Sequence, residues 1–171
     1  EIEKITHNNQ IMEYYRVENS VYAILPDHSA GEQIEFTVSY SGFPKKAIRP
    51  PWDGGFVWSK DKNNNPWIGV ACEGDGASLW WPNKDHPTEE PDSMEIIITV
   101  PSNMVAVANG KFVSKQIFEN DSSDFNIEKA RYTWSVKNPI NNYNVTLNIG
   151  DYVTVSDTLM NKAGVQFIDH Y

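Results

Sequence analysis

The sequence contains a single cysteine, Cys72, and only four histidines in 171 residues. One thiol cannot close an internal disulfide or build a cysteine-rich metal site. The histidines are His7, His28, His86 and His170, none three or four residues from another, so a helical His-Glu-x-x-His zinc motif is absent. Basic residues are scarce as well, 14 against 23 acidic ones, giving a formal charge of −9. That balance argues against a nucleic-acid surface, where phosphates need clustered Lys and Arg. No apolar run reaches the roughly 18 residues that a membrane-spanning helix requires. No 3.6-residue stripe runs long enough to support an extended amphipathic helix either. The remaining composition, 40% apolar, 12% aromatic and 22% charged, suits one globular domain with a core of its own. The chain opens on Glu1 rather than Met, with no signal-like stretch after it, which reads as a processed chain or a piece of a longer one.

Period-two alternation dominates. Ile34, Phe36, Val38 and Tyr40 alternate with polar residues, and Met94, Ile96, Ile98 and Val100 repeat the pattern up to Pro101. Val105 and Val107 lead into Asn109-Gly110, which predicts a tight hairpin returning through Lys111, Phe112 and Val113. Further strands are expected at Tyr132, Trp134 and Val136, at Val145, Leu147 and Ile149 with Tyr152, Val153 and Val155 continuing beyond Gly150, and near residues 3–7, 11–16 and 21–25. About ten short strands separated by turn signals predict an all-β fold, an antiparallel β-sandwich or saddle, as a single β-domain over residues 1–171.

Residues 42–91 break this rhythm and hold Trp52, Trp58, Trp67, Trp80 and Trp81, five of the six tryptophans. A long connection inside a compact domain is usually functional or disordered, and tryptophans that gain from burial argue against disorder. Its motifs nevertheless fail as self-sufficient chemistry. Gly74-Asp75-Gly76 lacks the third glycine of a dinucleotide loop, and Trp80 stands where a nucleophile elbow after Ser78 needs glycine. Asp61, Asn63 and Asn65 start like a calcium loop, but Pro66 follows instead of glycine and Cys72 replaces the closing glutamate, so a polar hairpin tip is expected. No complete catalytic set is encoded in the chain, and no cofactor site is expected within it.

The central segment resembles a known family. Gly55-Phe56-Val57-Trp58-Ser59, then Glu73-Gly74-Asp75-Gly76-Ala77 through Trp81-Pro82 and Asp85 to Pro87, is similar to the N-terminal β-domain of M1 (gluzincin) zinc aminopeptidases. The blocks from Met94 through Pro101 to Ala108-Asn109-Gly110, and from Pro139 through Tyr143 to Gly150-Asp151-Tyr152, follow in the family's order. Ser78 and Leu79 stand where many members carry arginine, which removes any salt bridge made there.

The resemblance implies a non-catalytic N-terminal domain that shapes a substrate cleft. Glu73 would help hold the free α-amino group of a peptide substrate, with Gly74, Asp75 and Gly76 forming the bend around it. Read from the residues alone, the same bend is a solvated glycine-rich turn. Zinc would belong to a catalytic domain of the same polypeptide that this chain lacks, and that domain and the peptide N-terminus would be its partners. An excised domain would expose a sheet edge, so self-association is expected. Trp80 and Trp81 should pack in the core or at a domain interface, although exposed tryptophans on a β-scaffold would also suit a carbohydrate-binding module. Asp85 is expected to anchor a turn through backbone donors, and Asp53-Gly54-Gly55 to form a tight turn needing positive φ.

Overall fold

A computed structural model describes residues 1–72, 77–119 and 128–171, apart from the side chains of Asn161 and Phe167. It is all-β, 50% strand and 4% helix, with strands paired antiparallel and one isolated parallel bridge between Lys46 and Phe56. Fourteen strands form among the described residues, more than the ten or so expected: the run over residues 11–16 breaks in two, and a hairpin forms over residues 155–170. The chain clusters into two units, Glu1–Phe43 and Pro44–Tyr171.

In the unit Glu1–Phe43, β1 (Ile2–His7) lies between β2 (Gln10–Ile11) and β5 (Thr37–Tyr40). Asn8 and Asn9 both take positive φ in the turn after β1, as the tight hairpin turn between strands demands. β3 (Tyr14–Val17) and β4 (Ser20–Ala23) make a separate hairpin on which Tyr15 and Tyr22 stack at 5.1 Å. The strand expected from Ile34 begins only at Thr37. There the His7 ring, rather than a backbone amide, meets the Glu35 carbonyl at 2.6 Å and ends the ladder.

The unit Pro44–Tyr171 is a sandwich. One sheet orders β6 (Gly55–Lys60), β7 (Pro66–Ala71), β12 (Leu147–Gly150) and β9 (Val105–Ala108). The other orders β10 (Lys111–Glu119), β11 (Glu128–Val136) and β8 (Met94–Pro101). Alternate residues Ile96 and Val100 of β8 and Ala130, Tyr132 and Trp134 of β11 face Ala106, Leu147 and Ile149 across the core. The two polar aromatic tips cross between sheets: Tyr132 Oη donates to the Met104 carbonyl and Trp134 Nε1 to the Ala106 carbonyl, both at 3.1 Å. Large rings are thus buried with their donors satisfied.

The hairpin expected at Asn109-Gly110 does not form. β9 pairs with β12 and β10 with β11, so the turn carries the chain from one sheet to the other. The Asn109 side chain makes that corner by donating to the Asn144 carbonyl and accepting from the Thr146 amide. Gly110 sits at φ +90°, where an added Cβ would lie 2.3 Å from the Ser135 carbonyl oxygen. β13 (Val155–Asn161) and β14 (Gly164–His170) form a hairpin that alternation does not reveal beyond Val155, since Val155, Leu159, Met160 and Val165 are all exposed. Among the described residues no helix is long and apolar enough to cross a membrane.

Candidate functional site

The site is built on the β6–β7 hairpin. Its tip is a closed polar turn, as expected. Asp61 accepts from the Asn63 and Asn65 amides at 2.8 Å and from the Asn65 side chain at 3.1 Å. Desolvation works to raise the Asp61 carboxyl, but these hydrogen bonds and the Lys62 charge outweigh it and hold it below the usual range. From this tip β7 runs back to Ala71 and Cys72. The next four residues, Glu73, Gly74, Asp75 and Gly76, lie outside the described residues, so the expected substrate-binding set is located only through its two ends.

Both ends are held firmly. On one side, Cys72 follows a strand paired with β6 and β12. Burial pushes the Cys72 thiol up. On the other, Ala77 is fully buried and opens a single 3₁₀ turn, Ala77–Leu79, with its carbonyl accepting the Trp80 and Trp81 amides. The two indoles pack on the sandwich core beside Phe56, which meets Trp80 edge-on at 6.3 Å and stacks on Trp58 at 5.8 Å. Their Nε1 atoms are covered and reach no acceptor among the described residues. The pair therefore packs as expected and is withdrawn from use as a sugar platform; Trp52 and Trp58 are the exposed tryptophans of this region.

Beyond the indoles, polar side chains tie the loop to the core. Ser78 Oγ donates to Asp85 Oδ2 at 2.5 Å, so Asp85 anchors its turn through a side-chain hydroxyl. The Asn142 amide donates to Asn83 Oδ1 and to the Lys84 carbonyl at 3.2 and 2.6 Å, and Asn141 donates to the Pro87 carbonyl at 2.6 Å. These asparagines flank the start of a second 3₁₀ turn, Asn142–Asn144, which leads into β12. His86 is exposed, with its Nδ1 on the Thr88 hydroxyl. The Lys84–Glu89 ion pair at 3.4 Å is exposed on both sides and adds little.

Cys72 also lines an open, mostly apolar cleft of about 510 Å³, walled by Pro50, Pro51, Val57, Trp67 and Ala71 and by residues 143–146. Its Pro50-Pro51 wall is set by Asp53, which accepts the Ile48 and Arg49 amides at 2.6 and 2.7 Å. Desolvation acts to raise the Asp53 carboxyl. The hydrogen bonds from Ile48, Arg49 and its own amide, with the Arg49 charge, leave it below the ordinary carboxylate range. Gly55, at φ +135°, confirms the need for glycine: an added Cβ would lie 2.5 Å from the Lys45 carbonyl oxygen. Reading by motif singled out neither this wall nor Asn142. A polar side chain beside a strand gives no chemical signature, although the run Asn141-Asn142-Tyr143-Asn144 has the character of a capped turn.

An M1 zinc metallopeptidase from Deinococcus radiodurans, in a mutant form bound to a Tyr-Ser-Ala substrate, superposes with a TM-score of 0.72 at 18% identity, covering 99% of this chain and 36% of the other. The chain has the fold of part of an M1 zinc metallopeptidase. A two-domain M1 zinc metallopeptidase mutant bound to L-arginine matches with a TM-score of 0.72 at 19% identity, over 99% of this chain and 37% of that one. A further M1 zinc metallopeptidase structure from Deinococcus radiodurans matches with a TM-score of 0.66 at 20% identity, over 99% and 36%. The chain thus spans little more than a third of the length of these M1 structures. No family model and no curated protein matches the sequence. Among the described residues no three His, Cys, Asp or Glu side chains are grouped so that they could hold a metal ion.

Proposed function

We propose that this chain is the non-catalytic β-module of an M1-type zinc aminopeptidase, and that Glu73 recognises the free α-amino group of the peptide substrate. Gly74, Asp75 and Gly76 complete the bend that presents it, and zinc is held by a catalytic domain elsewhere in the same polypeptide. The observation that carries the reading is the match of nearly the whole chain to a third of an M1 fold; the resemblance of the Glu73-to-Pro87 sequence to the family's motif supports it. The ligands named for the matched structures, Tyr-Ser-Ala, L-tryptophan and L-arginine, share an α-amino group. A carboxylate in a partly desolvated pocket gives such a cation a strong charge-assisted hydrogen bond. Cys72, one residue before Glu73 in the sequence, lines the apolar cleft.

The test is kinetic. In the intact protein, Glu73→Ala raises KM for free-amine peptides by about tenfold, the weight of one charge-assisted hydrogen bond, and leaves N-blocked analogues unchanged. Equal losses on both substrates overturn the role.

A further inference from the structure

We propose that Asn109-Gly110, at the corner between the two sheets, is a latent site of spontaneous covalent modification that the fold itself guards. It is the chain's one Asn-Gly pair. The corner requires both residues. Gly110 sits at φ +90°, and an added Cβ would lie 2.3 Å from the Ser135 carbonyl oxygen and 2.6 Å from its carbon, so a side chain there is opposed by conformation and by contact. Asn109 uses both halves of its amide. Nδ2 donates to the Asn144 carbonyl at 3.0 Å, and Oδ1 accepts from the Thr146 amide at 2.7 Å. These two contacts flank Val145, a core side chain only 2% exposed.

An asparagine followed by glycine is chemically labile, because no side chain shields the next backbone nitrogen. With its proton lost to water, the Gly110 nitrogen attacks Asn109 Cγ. A Cγ–N bond closes a cyclic imide, the Cγ–Nδ2 bond breaks, and ammonia leaves. Water then opens the imide at one carbonyl or the other, giving aspartate or isoaspartate. Ring closure requires the side chain to swing away from residues 144 and 146 and over its own backbone. That breaks both hydrogen bonds and moves a glycine packed against Ser135. The folded corner therefore opposes the reaction, and unfolding removes the opposition.

The product cannot rebuild the corner. Aspartate keeps an acceptor for the Thr146 amide but turns an oxygen toward the Asn144 carbonyl, acceptor against acceptor. Isoaspartate also lengthens the backbone by a carbon, beside a glycine already pressed on Ser135. A molecule that stays unfolded long enough is marked and loses its route back, so covalent ageing of this chain is tied to its unfolding.

The 171-residue chain tests this directly. It is held at mildly alkaline pH with and without urea, and aspartate plus isoaspartate at position 109 are followed by peptide mass mapping. The folded chain should convert about thirtyfold more slowly than the unfolded one, the weight of two hydrogen bonds that must open first. Equal rates mean that the fold guards nothing and overturn the proposal. Asn109→Asp, encoded rather than aged, tests the second half. Its urea midpoint should fall below the parent's; an unchanged midpoint shows that a carboxylate rebuilds the corner and overturns the claim of a lost route back. If Asn109→Asp does not fold, parent chain aged in urea and returned to buffer gives the same reading. Converted molecules should be depleted from the native fraction on size exclusion, and an undiminished share there contradicts the proposal.

Discussion

The two units of the chain use the same short antiparallel strands and differ in what those strands bury. In Pro44–Tyr171, alternate side chains of β8 and β11 meet β9 and β12 around Trp134, Tyr132 and Val145. In Glu1–Phe43, Ile5 and Met12 are the buried apolar side chains, and Tyr15, Val17, Tyr22 and Ile24 stay exposed. Strand pairing alone is marginal in water; an apolar face packed on a second layer supplies most of the stability. The difference separates a rigid platform, on which the candidate site stands, from a unit held mainly by its ladders.

The sharpest way to break that comparison is Trp134→Ala. It should destabilise Pro44–Tyr171 by about 3–5 kcal/mol, read as a shift of the urea midpoint. Gly110→Ala comes next. Its methyl would meet the Ser135 carbonyl at the corner between sheets, at a cost on the order of 2–3 kcal/mol, and refolding yield should fall with it. Ile5→Ala should cost about 2 kcal/mol, the low end for a buried aliphatic, because a thin core collapses around the gap. Amide exchange in β1 should then quicken while β11 is untouched. An Ile5→Ala loss equal to that of Trp134→Ala would erase the distinction between the units.

The smallest effect concerns the cleft wall. The Asp53 carboxyl is held below its ordinary value, so the stability it lends is present above the ordinary carboxylate range and is lost as pH falls through the lowered value. Exchange of the Ile48 and Arg49 amides should accelerate on that acid limb in the parent chain. In Asp53→Asn the acid step at these amides should vanish. A step that persists in the variant assigns it to another group.

Much of the fold was legible because burial and alternation coincide where sheets pack. β8 runs from Met94 to Pro101 as its pattern indicates, and Tyr132, Trp134 and Val136 lie on β11. The reading failed where a long-range partner overrode a local signal. Asn109-Gly110 has the chemistry of a hairpin turn, yet Asn109 bonds to residues 144 and 146 and the two strands join different sheets. Beyond Val155 the β13–β14 hairpin carries no clear alternation, because most of its described side chains are exposed. At the candidate site, motif order pointed to the segment after β7, whose residues 73–76 lie outside the described residues. The polar contacts of the loop after it, Ser78 with Asp85 and Asn142 with Lys84, join separated positions whose meeting no spacing rule describes.

The central claim is that Glu73 discriminates a charged peptide terminus. The most direct measurement is the ratio of kcat/KM for a free-amine peptide to that for its N-acetylated twin, in intact parent protein and Glu73→Ala. The account predicts that the substitution lowers this ratio by about tenfold, one charge-assisted contact. A ratio unchanged by the substitution, whatever happens to the absolute rates, contradicts it.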